Sequence, residues 1–157
     1  FARKGGDLNA VREELYNLMW DDVGIVRDAA SLQRAEGKLA ELAARIDTIG
    51  VDGGNRAFNM TWHDWINLKN LIMVSQSIRT AAIAREDSRG AHFRSDFPDA
   101  RDLENSHYTC VRWQDGRFDI DALKVVSEGV NRYAGQGDRA VVLITPDKDI
   151  PNGSLVS

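Results

Sequence analysis

The sequence predicts an all-α fold, an antiparallel bundle of three helices, followed by a small C-terminal β appendage. Two segments carry apolar residues at steps of three and four, the pattern of amphipathic helices that face a shared core. A third segment is apolar almost throughout, as expected of a helix at the centre of a bundle. After Pro98 the pattern changes to extended runs around an Asp-Gly pair, which is typical of a hairpin. We therefore divide the chain into a helical unit at residues 1–106 and a hairpin-like appendage with a tail at residues 107–157.

The first predicted helix begins after Asp7, whose side chain can accept hydrogen bonds from the free N–H groups of the first turn. Gly24 is expected to end this helix. Its apolar positions recur at helical spacing and should form one buried face: Leu8, Val11, Leu15, Leu18 or Met19, and Val23.

The second predicted helix has Ser31 as its expected N-cap and Gly50 as its expected end. Its apolar residues step alternately by three and by four, which is typical of helices that pack nearly antiparallel. These residues are Leu32, Ala35, Leu39, Leu42, Ile46 and Ile49.

The third predicted helix runs from about Trp62 to about Arg85, with Thr61 and Asp64 at the spacing of a capping box. Only a narrow polar stripe interrupts it, so it must be covered on more than one side. We interpret it as the central core helix of a bundle like that of a spectrin repeat, and a further partner surface is the alternative. The stripe consists of Lys69, Asn70, Gln76, Ser77 and Thr80.

A dense charged segment, REDSRGAHFRSDFP, follows this helix from Arg85 to Pro98. Planar guanidinium groups at fixed positions favour bidentate pairing with carboxylates or phosphates, so the segment predicts docking against another surface or domain. Gly90 suits a left-handed backbone position just past a helix end. The predicted docking motif consists of Asp87, Ser88, Arg89, Gly90, His92, Arg94, Asp96 and Pro98.

Two other interpretations of this segment are open. His92 lies between two arginines and two acids and could act as a general acid or base. We favour the structural interpretation, in which His92 and the arginines make fixed hydrogen bonds that lock the helix end onto a neighbour.

The predicted appendage consists of two runs, Tyr108 to Trp113 and Phe118 to Val126, around a turn at Gln114-Asp115-Gly116. The second run could instead begin a helix, because its residues do not alternate strictly. Further on, Ala140 to Thr145 could form one more strand, and a mobile end is expected after it.

Composition excludes several classes of protein. A net charge of −4 argues against a nucleic-acid binder, whose affinity would come from clustered basic residues. Cys110 is the only cysteine, so an internal disulfide is impossible and a reducing compartment is expected. The apolar runs are too short for a spanning helix, which favours a cytoplasmic protein without direct membrane insertion. Because the chain begins at Phe1, we expect a piece cut from a longer polypeptide.

No motif indicates a complete catalytic or metal site. Gly135 to Ala140 fits GxGxxA, but a polar segment precedes it and a β-branched run follows, so a turn is favoured over a nucleotide site. A metal site would have to recruit His92, His107 and Cys110, with Asp96 as a further ligand, and their spacing supplies at most one close pair. As a nucleophile, Cys110 lacks a sequence context of its own, so a half-buried strand cysteine is favoured.

Several motifs resemble one known family. Met19 to Arg27 reads MWDDVGIVR and is similar to MWxxVGIxR; Asp87 to Pro98 reads DSRGAHFRSDFP and is similar to ESRGAHxRxDxP. Between them lie Phe58-Asn59, Trp62-His63 and Leu68-Lys69-Asn70-Leu71, in the same order as in that family. They are the motifs of the C-terminal helical domain of the succinate dehydrogenase and fumarate reductase flavoproteins, which include L-aspartate oxidase. Asp87 replaces the usual Glu, and Ser106 stands where a Trp often follows Asn105.

The resemblance implies a structural module of an FAD-dependent oxidoreductase. In that family, residues of the flavin-binding and capping domains transfer hydride between a dicarboxylate and FAD, and no position of this chain matches them. The implied parent protein binds FAD, whereas this chain supplies no catalytic, cofactor-binding or metal-binding residue and is expected to be inactive alone. The implied partners are the FAD-binding domain of the same polypeptide and an iron-sulfur subunit, which could hold the protein at the cytoplasmic face of a membrane. Succinate, fumarate and L-aspartate remain alternative substrates.

A stand-alone helical adaptor is the alternative from another class of protein. In that interpretation the apolar third helix binds a partner helix, and no flavoprotein is involved.

Overall fold

The computed structural model describes residues 6–51, 58–101 and 107–124. Within these ranges the chain forms three helices, a two-residue parallel strand pair and a hairpin, so the predicted helical domain with a β appendage is confirmed. The elements in chain order are α1 (Leu8–Val23), β1 (Val26–Arg27), α2 (Ala29–Thr48), α3 (Met60–Ala84), β2 (Phe93–Arg94), β3 (His107–Gln114) and β4 (Arg117–Lys124). The strand and the turn predicted after residue 125 lie outside the described residues.

The caps of α1 agree with the sequence prediction. Asp7 has an extended backbone, and its side chain accepts a hydrogen bond from the N–H of Ala10 at 3.0 Å. Gly24 forms the C-cap, and a Cβ atom at this position would lie 2.5 Å from the carbonyl oxygen of Trp20. The close approach of that carbonyl explains why glycine suits the end of this helix.

The predicted N-caps of the other two helices were wrong by a few residues. In α2 the N-cap is Asp28, and Ser31 is instead the third residue of the helix, where its hydroxyl accepts from the Asp28 N–H at 3.1 Å. Asp28 in turn accepts from the Ser31 N–H at 2.7 Å, which completes a reciprocal capping box. In α3 the N-cap is Asn59 and not Thr61, because the Asn59 side chain accepts from the Trp62 N–H at 3.0 Å.

The three helices share one apolar core, and each helix contacts the other two. Leu15 and Leu32 are completely buried, so each contributes about 1.5–3 kcal/mol of apolar burial. The indole N–H of Trp65 reaches across from α3 and donates to the carbonyl of Ile46 at 3.0 Å. The helical part of the core consists of Leu8, Val11, Leu15, Leu18, Val23, Leu32, Ala35, Leu39, Leu42, Ile46, Leu68, Ile72 and Ala82.

The hairpin β3–β4 packs against α3, so the central helix is covered by α1, α2 and the hairpin. Its turn residues Asp115 and Gly116 both have positive φ values, 51° and 80°, as a two-residue turn of type I′ requires. The second run therefore forms a strand through Lys124, and the alternative prediction of a helix beginning there is wrong for the described residues. Met73 and Val74 of α3 remain exposed.

A short parallel pair was not predicted from the sequence. Val26 lies opposite Phe93 and Arg27 lies opposite Arg94, which joins the connection between α1 and α2 to the charged segment after α3. Two backbone hydrogen bonds hold the pair, from Phe93 N–H to Ile25 O at 3.1 Å and from Ser95 N–H to Arg27 O at 2.9 Å. Among the described helices, none is both long and apolar enough to cross a membrane.

Candidate functional site

The charged residues after α3 fold back onto the end of that helix, and we call residues 85–101 the clasp segment. Arg94 is its centre and is only 1% exposed. Nη1 of Arg94 lies 3.1 Å from the carbonyl oxygen of Ala82, 3.2 Å from that of Ile83 and 3.1 Å from that of Arg85. The last carbonyls of a helix have no partner within the helix and carry partial negative charge. Arg94 therefore closes the C-terminal end of α3 with a positive charge.

Asp96 pairs with Arg94 through two parallel hydrogen bonds, Nε to Oδ1 and Nη2 to Oδ2, each 2.7 Å long. Oδ2 also accepts from the N–H of Ala29, the first residue of α2, at 3.0 Å. These hydrogen bonds, that from Arg94 first, lower the pKa of Asp96 to about 2. The Arg94–Asp96 pair consequently ties the end of α3 to the beginning of α2.

Ser88 fixes the backbone of the clasp segment. Its hydroxyl accepts from the N–H of Arg94 at 2.8 Å and lies 2.7 Å from the carbonyl oxygen of Phe97. The N–H of Ser88 donates to the carbonyl of Asp99 at 3.0 Å. A buried hydroxyl with partners on both sides holds the loop in one conformation.

A second buried ion pair lies beside the helix end. Arg85, the C-cap of α3, donates from Nε to Oδ1 of Asp87 at 2.6 Å, and both side chains are almost fully buried. Burial alone would raise the pKa of Asp87, but its hydrogen bond with Arg85 and the nearby positive charges outweigh burial and lower it. Asp87 is therefore a carboxylate at neutral pH.

His92 is buried, and its Nε2 lies 3.3 Å from the carbonyl oxygen of Arg85. Since a carbonyl only accepts, Nε2 carries the proton in this hydrogen bond. Burial lowers the pKa of His92, and the charge of Arg27 lowers it further. A neutral histidine that donates to a helix-end carbonyl matches the structural interpretation of this residue, and general acid–base chemistry is not needed to explain its position.

The remaining motif residues lie nearer to the surface. Arg89 donates from Nη2 to the carbonyls of Ala100 at 2.6 Å and Arg101 at 3.1 Å. Gly90 has a positive φ of 57°, as predicted, but it occupies the tight turn from Arg89 to His92 and not the end of α3, which lies at Ala84. Pro98 is exposed.

Arg27 of β1 completes the site and was not predicted as a site residue; the sequence showed it only as the last residue of the Met19–Arg27 motif. Its register partner is Arg94, so two guanidinium groups project from neighbouring strand positions. Nε of Arg27 is buried and has no hydrogen-bond partner. Burial lowers the pKa of Arg27, and the charge of Arg94 lowers it further. A periodicity analysis cannot find such a residue, because its neighbours come from 67 positions away in the chain.

The arginines of the clasp segment bind carbonyls and carboxylates of the same chain. A flavin pyrophosphate would need free cationic donors, but Arg94, Arg85 and Arg89 already bind Asp96, Asp87 and backbone carbonyls. These residues do not fit the cofactor. Within residues 6–51, 58–101 and 107–124, no group of three or more His, Cys, Asp or Glu side chains could hold a metal ion. Burial raises the pKa of Cys110, which keeps this strand residue a thiol. The docking role predicted for the motif stays a prediction.

Comparison with known proteins gives one family. The model of the family described as the C-terminal part of the fumarate reductase flavoprotein matches residues 12–138. The flavoprotein subunit of 8-methylmenaquinol:fumarate reductase of Wolinella succinogenes is 36% identical over 114 residues, which are 69% of this chain and 19% of the relative. The fumarate reductase flavoprotein subunit of Haemophilus influenzae is 31% identical over 147 residues, 91% of this chain and 24% of the relative. L-aspartate oxidase of Arabidopsis thaliana is 36% identical over 94 residues, 56% of this chain and 13% of the relative.

Solved structures agree in fold. The apo Mycobacterium smegmatis Sdh1 complex matches with a TM-score of 0.64 and 32% identity, over 77% of this chain and 20% of the matched chain. A quinol-fumarate reductase with menaquinol molecules matches with a TM-score of 0.70 and 26% identity, over 80% of this chain and 22% of the matched chain. The chain thus spans about a fifth of the length of the proteins it resembles.

Proposed function

The chain belongs to the family of fumarate reductase flavoprotein C-terminal domains, and from this premise we propose that it is the structural and docking module of an FAD-dependent dicarboxylate oxidoreductase. The observation that carries the proposal is that the charged side chains of the clasp segment bind groups of the same chain. Arg94, His92 and Arg85 bind the last carbonyls of α3 and nearby carboxylates of the same chain, so they hold a shape and leave no catalytic group free.

The clasp segment suits a docking module because it fixes three elements relative to one another. Arg94 closes α3, Asp96 binds the first N–H of α2, and Ser95 and Phe93 bind the connection through β1. Breaking such a buried, multiply bonded pair on one side costs about 3–5 kcal/mol. A surface built on these elements therefore changes little when a partner binds it.

We infer that the three helices form an antiparallel bundle, and that this helical unit ends near residue 106. Charged pairs between the helices support the inference, because their order reverses from one helix to the next. Residues of α2 pair with α1 in descending order, as Arg34 does with Asp22 and Arg45 with Glu14. The pairs Lys69–Asp47 and Arg79–Glu36 show the same reversal between α2 and α3. The two pairs that are exposed on both sides, Arg45–Glu14 and Lys69–Asp47, contribute at most about 1 kcal/mol each, so they report the arrangement more than they stabilise it.

The proposed partners follow from the relatives. We propose that the module packs on the FAD-binding domain of its own polypeptide, that FAD binds in that domain, and that an iron-sulfur subunit is a further neighbour at the cytoplasmic face of a membrane. Matches to fumarate reductase subunits and to L-aspartate oxidase leave the substrate among fumarate, succinate and L-aspartate. The residues that would discriminate between them lie in the capping and flavin-binding domains.

The test is to delete residues 1–157 from the flavoprotein that carries this sequence and to compare it with the intact protein. We expect the deletion to reduce flavin content and thermal stability, and the separate chain to give neither a bound flavin spectrum nor turnover with FAD and succinate or fumarate. An Arg89→Ala variant of the intact protein should be less stable or assemble less well, because two backbone carbonyls lose their donor. Flavin binding by the separate chain, or an unaffected deletion protein, would contradict the proposal.

A stand-alone adaptor is the second candidate, since Met73 and Val74 are exposed on the central helix and could meet a partner helix. The coding sequence upstream of Phe1 discriminates the two. An open frame with a dinucleotide-binding GxGxxG motif supports the flavoprotein, whereas a start codon close to Phe1 supports the adaptor.

A further inference from the structure

Arg27 is the arginine near the clasp segment that has no partner among the residues the structure describes. Three arginines of the clasp segment, Arg94, Arg85 and Arg89, each donate to a carboxylate or to backbone carbonyls. Nε of Arg27 is buried without an acceptor, and no described carboxylate lies within ion-pair distance of its guanidinium. A buried charged donor that lacks a partner is unfavourable, because it has given up water and gained no hydrogen bond in return.

The charges around Arg27 increase this cost. Arg94 lies opposite it in the parallel pair, and the positive charge of Arg27 acts on the buried ring of His92. The carboxylate of Asp96 is engaged by Arg94, and that of Asp28 caps α2. Within the described part of the chain, the charge of Arg27 is therefore left uncompensated at a place where like charges are close.

The guanidinium of Arg27 is nevertheless open on one side. Nε alone is cut off from solvent, so the two terminal nitrogens are accessible and free. Ile25, two residues before Arg27, is 63% exposed, which shows that the chain near Arg27 borders open space. An incoming carboxylate can reach the terminal nitrogens end-on and form two parallel hydrogen bonds.

We propose that Arg27 is an anchor for the docking partner and binds an Asp or Glu side chain of the FAD-binding domain. The inference rests on the proposed function. Charge complementarity selects the occupant, because a single carboxylate balances the single uncompensated guanidinium, and the planar fork of arginine matches the two oxygens of that group. Apolar contact with the exposed side chain of Ile25 would accompany the pair, as around other charged anchors at interfaces.

The test compares the same substitutions in two settings, the 157-residue chain alone and the intact flavoprotein. Arg27→Met removes the guanidinium and introduces no polar group, Arg27→Lys keeps the charge and loses the fork, and Arg112→Met is the matched control at an exposed position of β3. Thermal unfolding and flavin retention are measured for each variant. Labelling of individual arginines with phenylglyoxal is followed by mass spectrometry in the unsubstituted proteins.

We expect opposite effects of Arg27→Met in the two settings. The separate chain should unfold at the same temperature or higher, because a like-charge contact and an unpaired donor are removed. In the intact flavoprotein the docked state should weaken by roughly 30-fold or more, the usual loss when one side of a desolvated charge pair is truncated. Arg27→Lys should recover part of the loss, and Arg112→Met should change neither protein. Labelling of Arg27 should fall in the intact protein and that of Arg112 should not.

Three results would overturn the inference. Equal destabilisation of both proteins by Arg27→Met would make Arg27 an internal structural residue, and no effect in either would make it a solvated side chain. Binding of inorganic phosphate or acetate to the separate chain, lost in Arg27→Met, would identify a free anion as the ligand. If deletion of the whole module leaves the flavoprotein unaffected, the proposed function fails as well, and that outcome is recognised without any Arg27 variant.

Discussion

Replacing Arg94 by methionine tests whether the clasp segment holds the end of α3. Methionine keeps most of the apolar stem and removes the guanidinium, so the lost stability reports the hydrogen bonds and the charge. The guanidinium serves three carbonyls of the helix end and both oxygens of Asp96. The comparable control is Arg117→Met, because Arg117 pairs with Asp119 but its side chain is 75% exposed.

The expected magnitude follows from burial. Removal of one partner from a buried ion pair costs about 3–5 kcal/mol. The side chain of Asp96 is 29% exposed and can be rehydrated, so the lower end of that range applies, about 3 kcal/mol. For a chain of this size, such a loss lowers the melting temperature by about 6–12 °C. The exposed Arg117 pair should cost less than about 1 kcal/mol.

The assay is chemical and thermal unfolding of the chain, together with amide hydrogen exchange. Exchange should accelerate selectively in the last turn of α3, whose carbonyls Arg94 binds, while the first turn of α1, which does not contact the Arg94–Asp96 pair, keeps its exchange rates. A double-mutant cycle with Asp96→Asn should give a coupling free energy of at least about 1 kcal/mol, as is usual for residues in direct contact within one network. A loss no larger than that of Arg117→Met, with unchanged exchange in α3, would refute the reasoning.

The other predictions concern pH and the core. The pKa of Asp96 is lowered to about 2 in the folded chain, so its carboxylate stabilises the fold above the ordinary pKa near 4, and this contribution should disappear as the pH falls from about 4 to about 2. The free energy of unfolding of Asp96→Asn should lack that part of the pH dependence. An unchanged loss of stability between pH 4 and pH 2 in this variant would contradict the pairing. The pKa of His92 is lowered in the folded chain, so the unfolded chain takes up the proton at higher pH and stability should decrease as the pH falls below about 6.5. In urea unfolding between pH 7.5 and pH 5.5, His92→Gln should remove this decrease. The same dependence of the free energy of unfolding on pH in this variant would show that another group titrates. Leu32 is completely buried in the shared core, so Leu32→Ala should lower the free energy of unfolding by about 2–5 kcal/mol. The control Ala44→Gly, at an exposed position of α2, should lower it by about 1 kcal/mol. Similar losses for the two variants would contradict the assigned core.

The sequence was sufficient for the helices because their signals are local. The steps of three and four in α1 and α2 identify the buried faces, and Asp7 and Gly24 act on backbone groups within one turn of themselves. The hairpin is equally local, since the Asp115-Gly116 pair determines its turn. The family resemblance, read from motifs in α1, α3 and the clasp segment, is confirmed by the family match over residues 12–138.

The N-cap errors arose where two suitable residues lie close together. Asp28 and Ser31 can both cap a helix, and the chain uses them as a reciprocal pair, so the residue nearer the apolar pattern was chosen wrongly. The same holds for Asn59 and Thr61. Which residue becomes the cap depends on where the preceding chain enters the helix, and for α2 that path is set by β1 and its distant partner strand.

The pairing of β1 with β2 could not be predicted, because each strand has two residues and the pattern of alternation needs several more. Its consequence for the site is large. Arg27 was assigned no role from the sequence, although the structure places it opposite Arg94 and its charge acts on His92. The sequence could not show that Arg27 lacks a partner among the described residues, because that depends on which residues lie near it in space.

The many charged residues of the clasp segment were the basis for predicting that it docks against another surface or domain. In the structure, Arg94 and Arg85 bind backbone carbonyls and carboxylates at the end of α3, within the same chain. The backbone that these hydrogen bonds fix presents two exposed apolar residues, Val26 and Phe93, side by side on the short strand pair. Under the proposed function, a docking partner meets this shaped apolar surface and the guanidinium of Arg27. Substitutions inside the clasp segment should then affect docking only as far as they loosen that segment, whereas Arg27→Met should weaken docking without destabilising the separate chain.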